Sequence, residues 1–144
     1  MLVGSIMTQE VITVAPSSSI GTAIALMREH GFRRLPVVED DKLIGIVTDR
    51  DLRQATNSPL VLREVWYSEF LLEAIKVRAC MTPNPMTVTP TTAVAEAARL
   101  LRRHKIGGLP VIEAEGSDRV VGMVTITDML DCLIQLLANE EGND

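Results

Sequence analysis

Apolar residues recur along the chain with the spacings of helices and strands. Two segments carry them at i, i+3, i+4 and i+7, the pattern of an amphipathic helix. These positions are Ile20, Ala23, Ile24 and Met27 in the first segment and Val94, Ala97, Ala98 and Leu101 in the second. A short strand is predicted before each helix, at 12–14 and 86–88, and ends at Pro16 or Pro90. The hydroxyl residues at 17–19 and 91–92 are predicted to cap the helices.

After each helix the pattern changes to short apolar runs. Gly31 and Gly107 are the predicted helix ends. Strands are predicted at 35–38 and 109–112 and, after an acidic turn, at 43–47 and 120–124. Thr48 and Thr125 then begin the next helix. The order strand-helix-strand-strand-helix therefore occurs twice, and the predicted fold class is α/β (α+β).

The two halves are an internal duplication. An offset of 74 residues superimposes 7–37 on 81–111 with 12 identities, including Met-Thr near the start and Leu-Pro-Val at the end. At an offset of 77, Gly45-x-x-Thr48-x-x-Asp51 falls on Gly122-x-x-Thr125-x-x-Asp128. One copy is too small to bury a stable core alone. We therefore expect the copies to pack face to face about a pseudo-two-fold axis.

This duplication sets the predicted domain boundaries. The first repeat covers 1–54, a connector 55–78, the second repeat 79–138 and a tail 139–144. Apolar and aromatic residues suggest some helix in the connector; they are Leu62, Val65, Trp66 and Phe70, with Glu69 among them. The connector and the terminal helix together are expected to form an exposed apolar patch suited to homodimerisation; the residues of the terminal helix are Met129, Leu130, Leu133, Ile134, Leu136 and Leu137.

Charge and composition argue against several classes of protein. A formal net charge of −5 and only four aromatic residues disfavour nucleic-acid binding, which needs a basic face or stacking platforms. No apolar run is long enough for a membrane span, and no signal peptide is visible, so the expected compartment is the cytoplasm. Cys80 and Cys132 lack metal-ligand spacing and are interpreted as buried reduced thiols. His30 and His104 are interpreted as helix-end histidines, and no metal site is predicted.

The repeated Thr-x-x-Asp has two interpretations. Unpaired N–H groups at a strand-to-helix junction favour an anion beside Thr48 or Thr125, and Asp51 or Asp128 can accept hydrogen bonds from a ribose diol. Equally, Thr and Asp at this spacing form a helix capping box with no ligand. The spacing alone favours the cap. Nucleophile-base pairs and phosphate-binding glycine loops are not visible, so the chain is not expected to be an enzyme.

These duplicated motifs, taken in order, resemble a tandem cystathionine-β-synthase (CBS) domain pair, or Bateman module, similar to the paired-CBS part of acetoin-utilisation-type proteins. The resemblance implies a regulatory module that binds an adenosine ligand in a cleft between its repeats, commonly assembles as a two-fold disc, and signals to an unknown effector protein. The candidates are AMP, ADP or ATP, with S-adenosylmethionine or NAD as further possibilities. The alternative is a structural dimerisation module with vestigial pockets.

The resemblance also implies site residues, each with an ordinary structural alternative. Phosphate or ribose contact is expected from Thr48, Asp51, Arg34, Arg33 and Arg50, and adenine contact near Thr13, Val14 and Leu35. The second nucleotide site would use Thr125, Asp128, Thr87, Val88 and Leu109. Glycines replace Arg33 and Arg34 in the second copy, and a glycine cannot grip a phosphate as a guanidinium does. The first copy is therefore expected to bind a phosphorylated ligand more tightly, although the arginines could equally be a solvent-exposed pair.

Overall fold

The computed structural model describes residues 1–56 and 65–143, with the backbone alone for 65–69. Helices α1 (Ile20–His30), α2 (Asp49–Thr56), α3 (Val65–Ala74), α4 (Val94–His104) and α5 (Ile126–Gly142) are joined by short strands. The strands are β1 (Arg34–Glu39), β2 (Lys42–Thr48), β3 (Thr82–Pro83), β4 (Gly108–Ile112) and β5 (Val120–Thr125). Single 3₁₀ turns lie at Val3–Ser5 and Val77–Ala79. The mixed fold class is confirmed. Helix α3 lies within the predicted connector, whereas Leu62 is outside the described residues.

The chain divides into two compact units. The first-motif unit consists of residues 12–85 and the second-motif unit of residues 1–11 together with 86–144. Each unit thus contains one Gly-x-x-Thr-x-x-Asp motif and a segment that belongs, by sequence, to the other repeat. The predicted boundaries at 54 and 79 follow the repeats along the chain, and they stay a prediction.

Antiparallel pairing organises the first-motif unit. β1 pairs with β2 from Arg34↔Thr48 to Glu39↔Lys42, and β2 pairs with β3 through Ile46↔Thr82. Asp40 and Asp41 both have positive φ, as a tight hairpin turn requires. A core of nine buried side chains fills the unit: Val14, Ile20, Ala23, Met27, Leu35, Val37, Val47, Leu52 and Val77.

The second-motif unit repeats this plan. β4 pairs with β5 from Gly108↔Thr125 to Ile112↔Val120. Its core is formed by Val3, Val88, Ala97, Leu101, Leu109, Val111 and Val124. Val3 and Val77, which are 74 positions apart and both 0% exposed, fill matching places in the two cores. Val3 thus enters the core of the unit that holds the second motif, and Val77, at the end of the predicted connector, enters the core of the unit that holds the first.

The Met-Thr segment that each unit takes from the other repeat (Met81-Thr82 or Met7-Thr8), here called the exchanged segment, explains why the motif has a glycine. A Cβ atom on Gly45 would lie 2.8 Å from Met81 Sδ and 2.9 Å from the Thr82 carbonyl oxygen. A Cβ atom on Gly122 would lie 2.7 Å from Met7 Sδ and 2.9 Å from the carbonyl oxygen of Thr8, the next residue. The repeated Met-Thr thus packs against the repeated Gly, and this contact occurs once in each unit.

Several local predictions are wrong in detail. The predicted strands at 12–14 and 86–88 contribute only single parallel bridges, Val14↔Val37 and Val88↔Val111. The N-cap of α4 is Ala93 rather than a threonine, and Thr92 Oγ1 instead accepts from the Thr89 N–H at 3.0 Å. Helix α4 ends at Lys105 in the left-handed conformation, two residues before the glycine predicted to stop it. The caps predicted for α1 are confirmed, with Ser19 at its start and Gly31 at its end.

Candidate functional site

Thr48 and Asp51 form a reciprocal capping box at the end of β2. The Thr48 N–H donates to Asp51 Oδ2 at 2.9 Å, and the Asp51 N–H donates to Thr48 Oγ1 at 3.1 Å. Both side chains are half-buried. The box uses one carboxylate oxygen. Among the described residues, Asp51 Oδ1 accepts no hydrogen bond and the Thr48 hydroxyl donates none.

Thr125 and Asp128 form the same box at the start of α5, with one difference. The Thr125 N–H donates to Asp128 Oδ2 at 2.8 Å, and the Asp128 N–H donates to Thr125 Oγ1 at 3.3 Å. Here the Thr125 hydroxyl also lies 3.1 Å from Asp128 Oδ2 and donates to it. The capping interpretation is therefore realised in both units, but only Thr48 keeps its hydroxyl proton for another acceptor within the described chain.

Arg34 lies beside this box. It is the register partner of Thr48 on the neighbouring strand, so the two side chains leave the same face of the sheet. The guanidinium is half-buried, and this burial lowers the pKa of Arg34, an effect that the negative Asp49 opposes and the positive Arg33 reinforces. A cation held partly out of water beside a helix start is suited to pair with an anion.

The other predicted cations lie further into solvent. Arg33 is exposed, but its carbonyl oxygen accepts the Asp49 N–H at 2.8 Å and so joins the start of β1 to the first residue of α2. Arg50 is also exposed. Asp49 was not among the predicted site residues. Its negative charge raises the pKa of Arg34, and it forms an ion pair of 3.1 Å with Arg53. The signal was available: an acid in the first turn with a base four residues later.

At the corresponding positions the second-motif unit has glycines instead of arginines. Gly108 pairs with Thr125, and the Gly107 carbonyl oxygen accepts the Ile126 N–H at 3.0 Å. Ile126 stands where the first unit has Asp49, and it is 47% exposed. Thr127 stands where the first unit has Arg50. Within residues 1–56 and 65–143, the second site therefore offers backbone groups, an apolar side chain and the Asp128 carboxylate.

The side chains expected to contact adenine differ in burial. Side chains of Val14 and Leu35 belong to the core of the first-motif unit, and those of Val88 and Leu109 to the core of the second. Thr13 is exposed, and Thr87 is half-buried. Base contact from the four core residues would therefore have to come from their backbone groups, as the resemblance implies.

Cys80 lies close to the first capping box. Burial, and to a smaller extent the negative charge of Asp51, raises the pKa of the Cys80 thiol. Both cysteines are free thiols, but only Cys132 is buried, so the expectation of full burial is wrong for Cys80. Within the described residues no cluster of His, Cys, Asp and Glu forms a metal site.

A groove of about 400 Å³ lies between α1 and α2 of the first-motif unit. Its lining includes Arg33 and Asp49 but not Thr48, Asp51 or Arg34, so it adjoins the predicted site without coinciding with it. Phe32 lines this groove, and its ring stacks on that of His30 with centroids 5.9 Å apart. This contact supports the structural interpretation of His30.

The duplicated motif, its exchanged Met-Thr segment and its paired capping boxes define a tandem-repeat module. The sequence profile of the CBS domain matches residues 3–58 and 77–135. The chain therefore belongs to the CBS domain family and carries two copies of the domain. Helices in the described residues, 1–56 and 65–143, are not long and apolar enough to cross a bilayer.

Relatives of the same size support this assignment. A CBS domain-containing protein of Dictyostelium discoideum is 40% identical over 141 residues, which are 95% of this chain and 94% of that protein. An acetoin-utilisation protein (AcuB) structure from Vibrio cholerae has a TM-score of 0.77 at 30% identity and covers 100% of this chain and 98% of that one. Inosine-5'-monophosphate dehydrogenase of Korarchaeum cryptofilum is 38% identical, but the match covers 87% of this chain and only 23% of that enzyme.

Two structural relatives hold adenosine ligands. CBSX2 in complex with AMP has a TM-score of 0.74 at 33% identity, covering 94% of this chain and 97% of that one. The CBS domain pair of protein MJ0100, in complex with 5'-methylthioadenosine and S-adenosyl-L-methionine, has a TM-score of 0.76 at 27% identity, covering 92% and 95%. Such ligands are thus found in CBS pairs similar to this one.

Proposed function

We propose that this chain is a non-catalytic regulatory CBS pair that binds an adenine nucleotide at its first motif. The observation that carries the proposal is the arrangement of Arg34, Thr48 and Asp51 in the first-motif unit. The half-buried Arg34 is the strand partner of Thr48, and within the described residues the Thr48 hydroxyl, at the start of a helix, donates to no acceptor. The second-motif unit has the same cap without the cation.

The three side chains suit the two polar parts of a nucleotide. A phosphate beside Thr48 would accept from its hydroxyl and from Arg34, and the α2 dipole would favour its negative charge. Asp51 Oδ1, which the capping box leaves open within the described residues, would accept the hydroxyls of a ribose. Capping and ligand binding are therefore compatible, because the box uses Oδ2 and positions the carboxylate for the second oxygen.

The environment of the second motif favours a ligand without phosphate. Gly108 and Thr127 offer no positive charge to an anion, and Asp128 would repel one. An exposed Ile126 beside a carboxylate suits an uncharged or cationic adenosine derivative. Methylthioadenosine and S-adenosylmethionine, held by the MJ0100 pair, are ligands of that kind, as AMP in CBSX2 is of the first kind.

Regulation requires that the ligand bind two conformations with different affinity, since equal affinity shifts no equilibrium. The expected output is a change in what a separate effector protein contacts, in the cytoplasm. The second candidate function, a dimerisation module with vestigial pockets, is favoured by the fact that both Thr-x-x-Asp motifs already serve as helix caps.

Isothermal titration distinguishes these functions. AMP, ADP, ATP, NAD, S-adenosylmethionine and adenosine are titrated into the wild-type chain and into Arg34→Ala. Loss of a charge-assisted hydrogen bond to phosphate costs about 1.5–3 kcal/mol, so Arg34→Ala should weaken AMP by roughly 10-fold to 150-fold. Adenosine, which lacks the phosphate, should change by less than about 3-fold.

Asp51→Ala and Asp128→Ala form a matched pair, because each removes the same capping contact. We expect Asp51→Ala to abolish AMP binding and Asp128→Ala to leave it within about 3-fold of wild type. Equal loss of AMP and adenosine in Arg34→Ala would refute the phosphate role. Absence of heat with every ligand at millimolar concentration would leave the dimerisation module as the function.

A further inference from the structure

We infer that the outward face of α4 is a docking surface for an acidic segment, rich in aspartate and glutamate, of a partner protein. The surface consists of Arg99, Arg102 and Arg103, here called the arginine triplet, which line one recess of about 380 Å³. All three side chains are exposed. Docking at this surface needs no nucleotide, so it is independent of the function proposed for the first motif.

The arginine triplet lies on the side of α4 that faces away from its own core. Residues spaced at i, i+3 and i+4 cover about 100° of the helix circumference. Helix α4 is buried in its unit through Ala97 and Leu101. The centre of the triplet lies roughly 170° around the helix from the centre of those two residues. The three guanidinium groups therefore share one patch, about one helical turn long, that neighbouring carboxylates of a single peptide can reach together.

The first repeat shows that the fold does not require this charge. At the offset of 74 residues, α1 has Ala25 where α4 has Arg99, and Glu29 where α4 has Arg103. Both helices have 11 residues and bury two corresponding positions in their cores. Cations in the last turn suit the helix dipole, but Arg99 lies before that turn. Because an equivalent helix folds without the triplet, helix stability does not account for it.

The chain itself supplies little negative charge to the triplet. Among the described residues, the one carboxylate within ion-pair distance is that of Glu96, 3.4 Å from Arg99, and both side chains are more than half exposed, so the pair is weak. Helix α4 and Lys105 after it carry four basic residues and one acidic residue, whereas the whole chain has a formal net charge of −5. A local positive patch on a negative protein attracts an acidic partner to that patch, because the rest of the chain is negative overall and repels it.

An acidic protein segment fits this patch better than a nucleic acid or a membrane. A nucleic acid would extend its phosphates beyond one helical turn onto a surface that is negative overall, and the chain has only four aromatic residues for base stacking. A membrane-surface helix places large apolar side chains beside its basic ones. Within the described residues, the exposed large apolar side chains all lie outside α4. Arginine pairs with carboxylates through two parallel hydrogen bonds, which suits aspartate and glutamate side chains.

Fluorescence anisotropy of a labelled ten-residue polyglutamate peptide tests the docking surface on the full chain. We expect saturable binding of the peptide at about 50 mM salt, and binding roughly 10-fold weaker at about 0.3 M salt, because exposed charges are screened. Arg99→Gln, Arg102→Gln and Arg103→Gln together should weaken binding by roughly 10-fold to 100-fold, since each exposed pair contributes a factor of about 2 to 5.

The matched control neutralises three exposed arginines elsewhere, in Arg28→Gln, Arg78→Gln and Arg119→Gln. This variant has the same net charge as the triplet variant, and it should bind the peptide within about 3-fold of wild type. Equal weakening in both variants, or no binding by the wild type, overturns the inference. A twelve-nucleotide single-stranded DNA and vesicles containing phosphatidylserine are titrated in parallel; tighter binding of either one than of the peptide also overturns it. Circular dichroism checks that both variants are folded.

Glu96→Gln tests the triplet by a gain of affinity rather than a loss. Removing the Glu96 carboxylate releases Arg99 from its ion pair within the helix. Peptide binding should therefore become about 2-fold to 3-fold tighter. A substitution that only disturbed the helix would not have this effect, so unchanged or weaker binding contradicts the role of Arg99.

Discussion

The motif glycine Gly45 offers a quantitative test of the exchanged contact between Met81-Thr82 and β2. In Gly45→Ala the new Cβ atom would lie 2.8 Å from Met81 Sδ and 2.9 Å from the Thr82 carbonyl oxygen, whereas ordinary contact begins at 3.4 Å. The methionine side chain can rotate away. The carbonyl belongs to the backbone of β3, which pairs with β2 through Ile46↔Thr82, so the two strands have to separate by about 0.5 Å.

Overpacking of this kind costs about 1–3 kcal/mol. Replacing glycine by alanine in a strand returns about 0.5–1 kcal/mol, because the unfolded chain loses conformational freedom. At the midpoints of these two ranges, the net expectation is a loss of about 1.3 kcal/mol in the free energy of unfolding. For a chain of this size that loss lowers the Tm by roughly 3–5 °C.

The assay is thermal and urea unfolding followed by circular dichroism on Gly45→Ala and on Gly142→Ala. A Cβ atom on Gly142 would meet no atom within 4 Å, so this control should be neutral or slightly stabilised. Met81→Ala in the Gly45→Ala background should restore only part of the loss, because it removes the sulfur contact but not the carbonyl contact. A Tm for Gly45→Ala equal to or above that of the wild type would refute the reasoning.

Three further predictions follow from single contacts. Thr125→Ala removes an N-cap and should cost about 1 kcal/mol in chemical unfolding; no change would mean that the box is not formed. Lys105, at the end of α4, has a left-handed conformation with φ of 54°, which glycine adopts more easily. Lys105→Gly should therefore raise the free energy of unfolding by about 1 kcal/mol and raise the Tm; a lower Tm would contradict this. The pKa of Cys80 is raised, so the stability it contributes is complete below the pKa of the unfolded thiol and is lost as the pH rises through the folded pKa. Asp51→Asn should lower that pKa and speed iodoacetamide alkylation of Cys80 at about pH 8.5, whereas Asp128→Asn should not.

Periodicity and duplication in the sequence determined the element order and the location of the motifs. Helical spacing predicted α1 and α4 closely, since both bury one apolar face against their own units. The Thr-x-x-Asp spacing predicted the capping boxes, because a cap is a contact between residues three positions apart. Information of this kind is local and repeats when the sequence is duplicated.

Part of the candidate site could be predicted from the same local sequence patterns. The difference between Arg34 and Gly108 is visible in the sequence. Only the strand register shows that Arg34 lies beside Thr48 and Gly108 beside Thr125, so that the two sites differ in charge. Asp49 was overlooked, because its effect on Arg34 acts across two elements rather than along one. Roles for the predicted nucleotide contacts stay predictions until ligands are titrated.

Tertiary structure alone decided which segments share a core. Sequence boundaries follow the repeats, yet residues 1–11 belong to the compact unit of residues 86–144, and the turn at Val77–Ala79 belongs to that of residues 12–85. Gly45 and Gly122 are identical in the sequence for a reason that is not local: each leaves room for a Met-Thr segment from the other repeat. Such a contact joins residues more than thirty positions apart. Side-chain periodicity reports only local spacing and cannot predict this contact. The tertiary structure is therefore needed to explain why each position is a glycine.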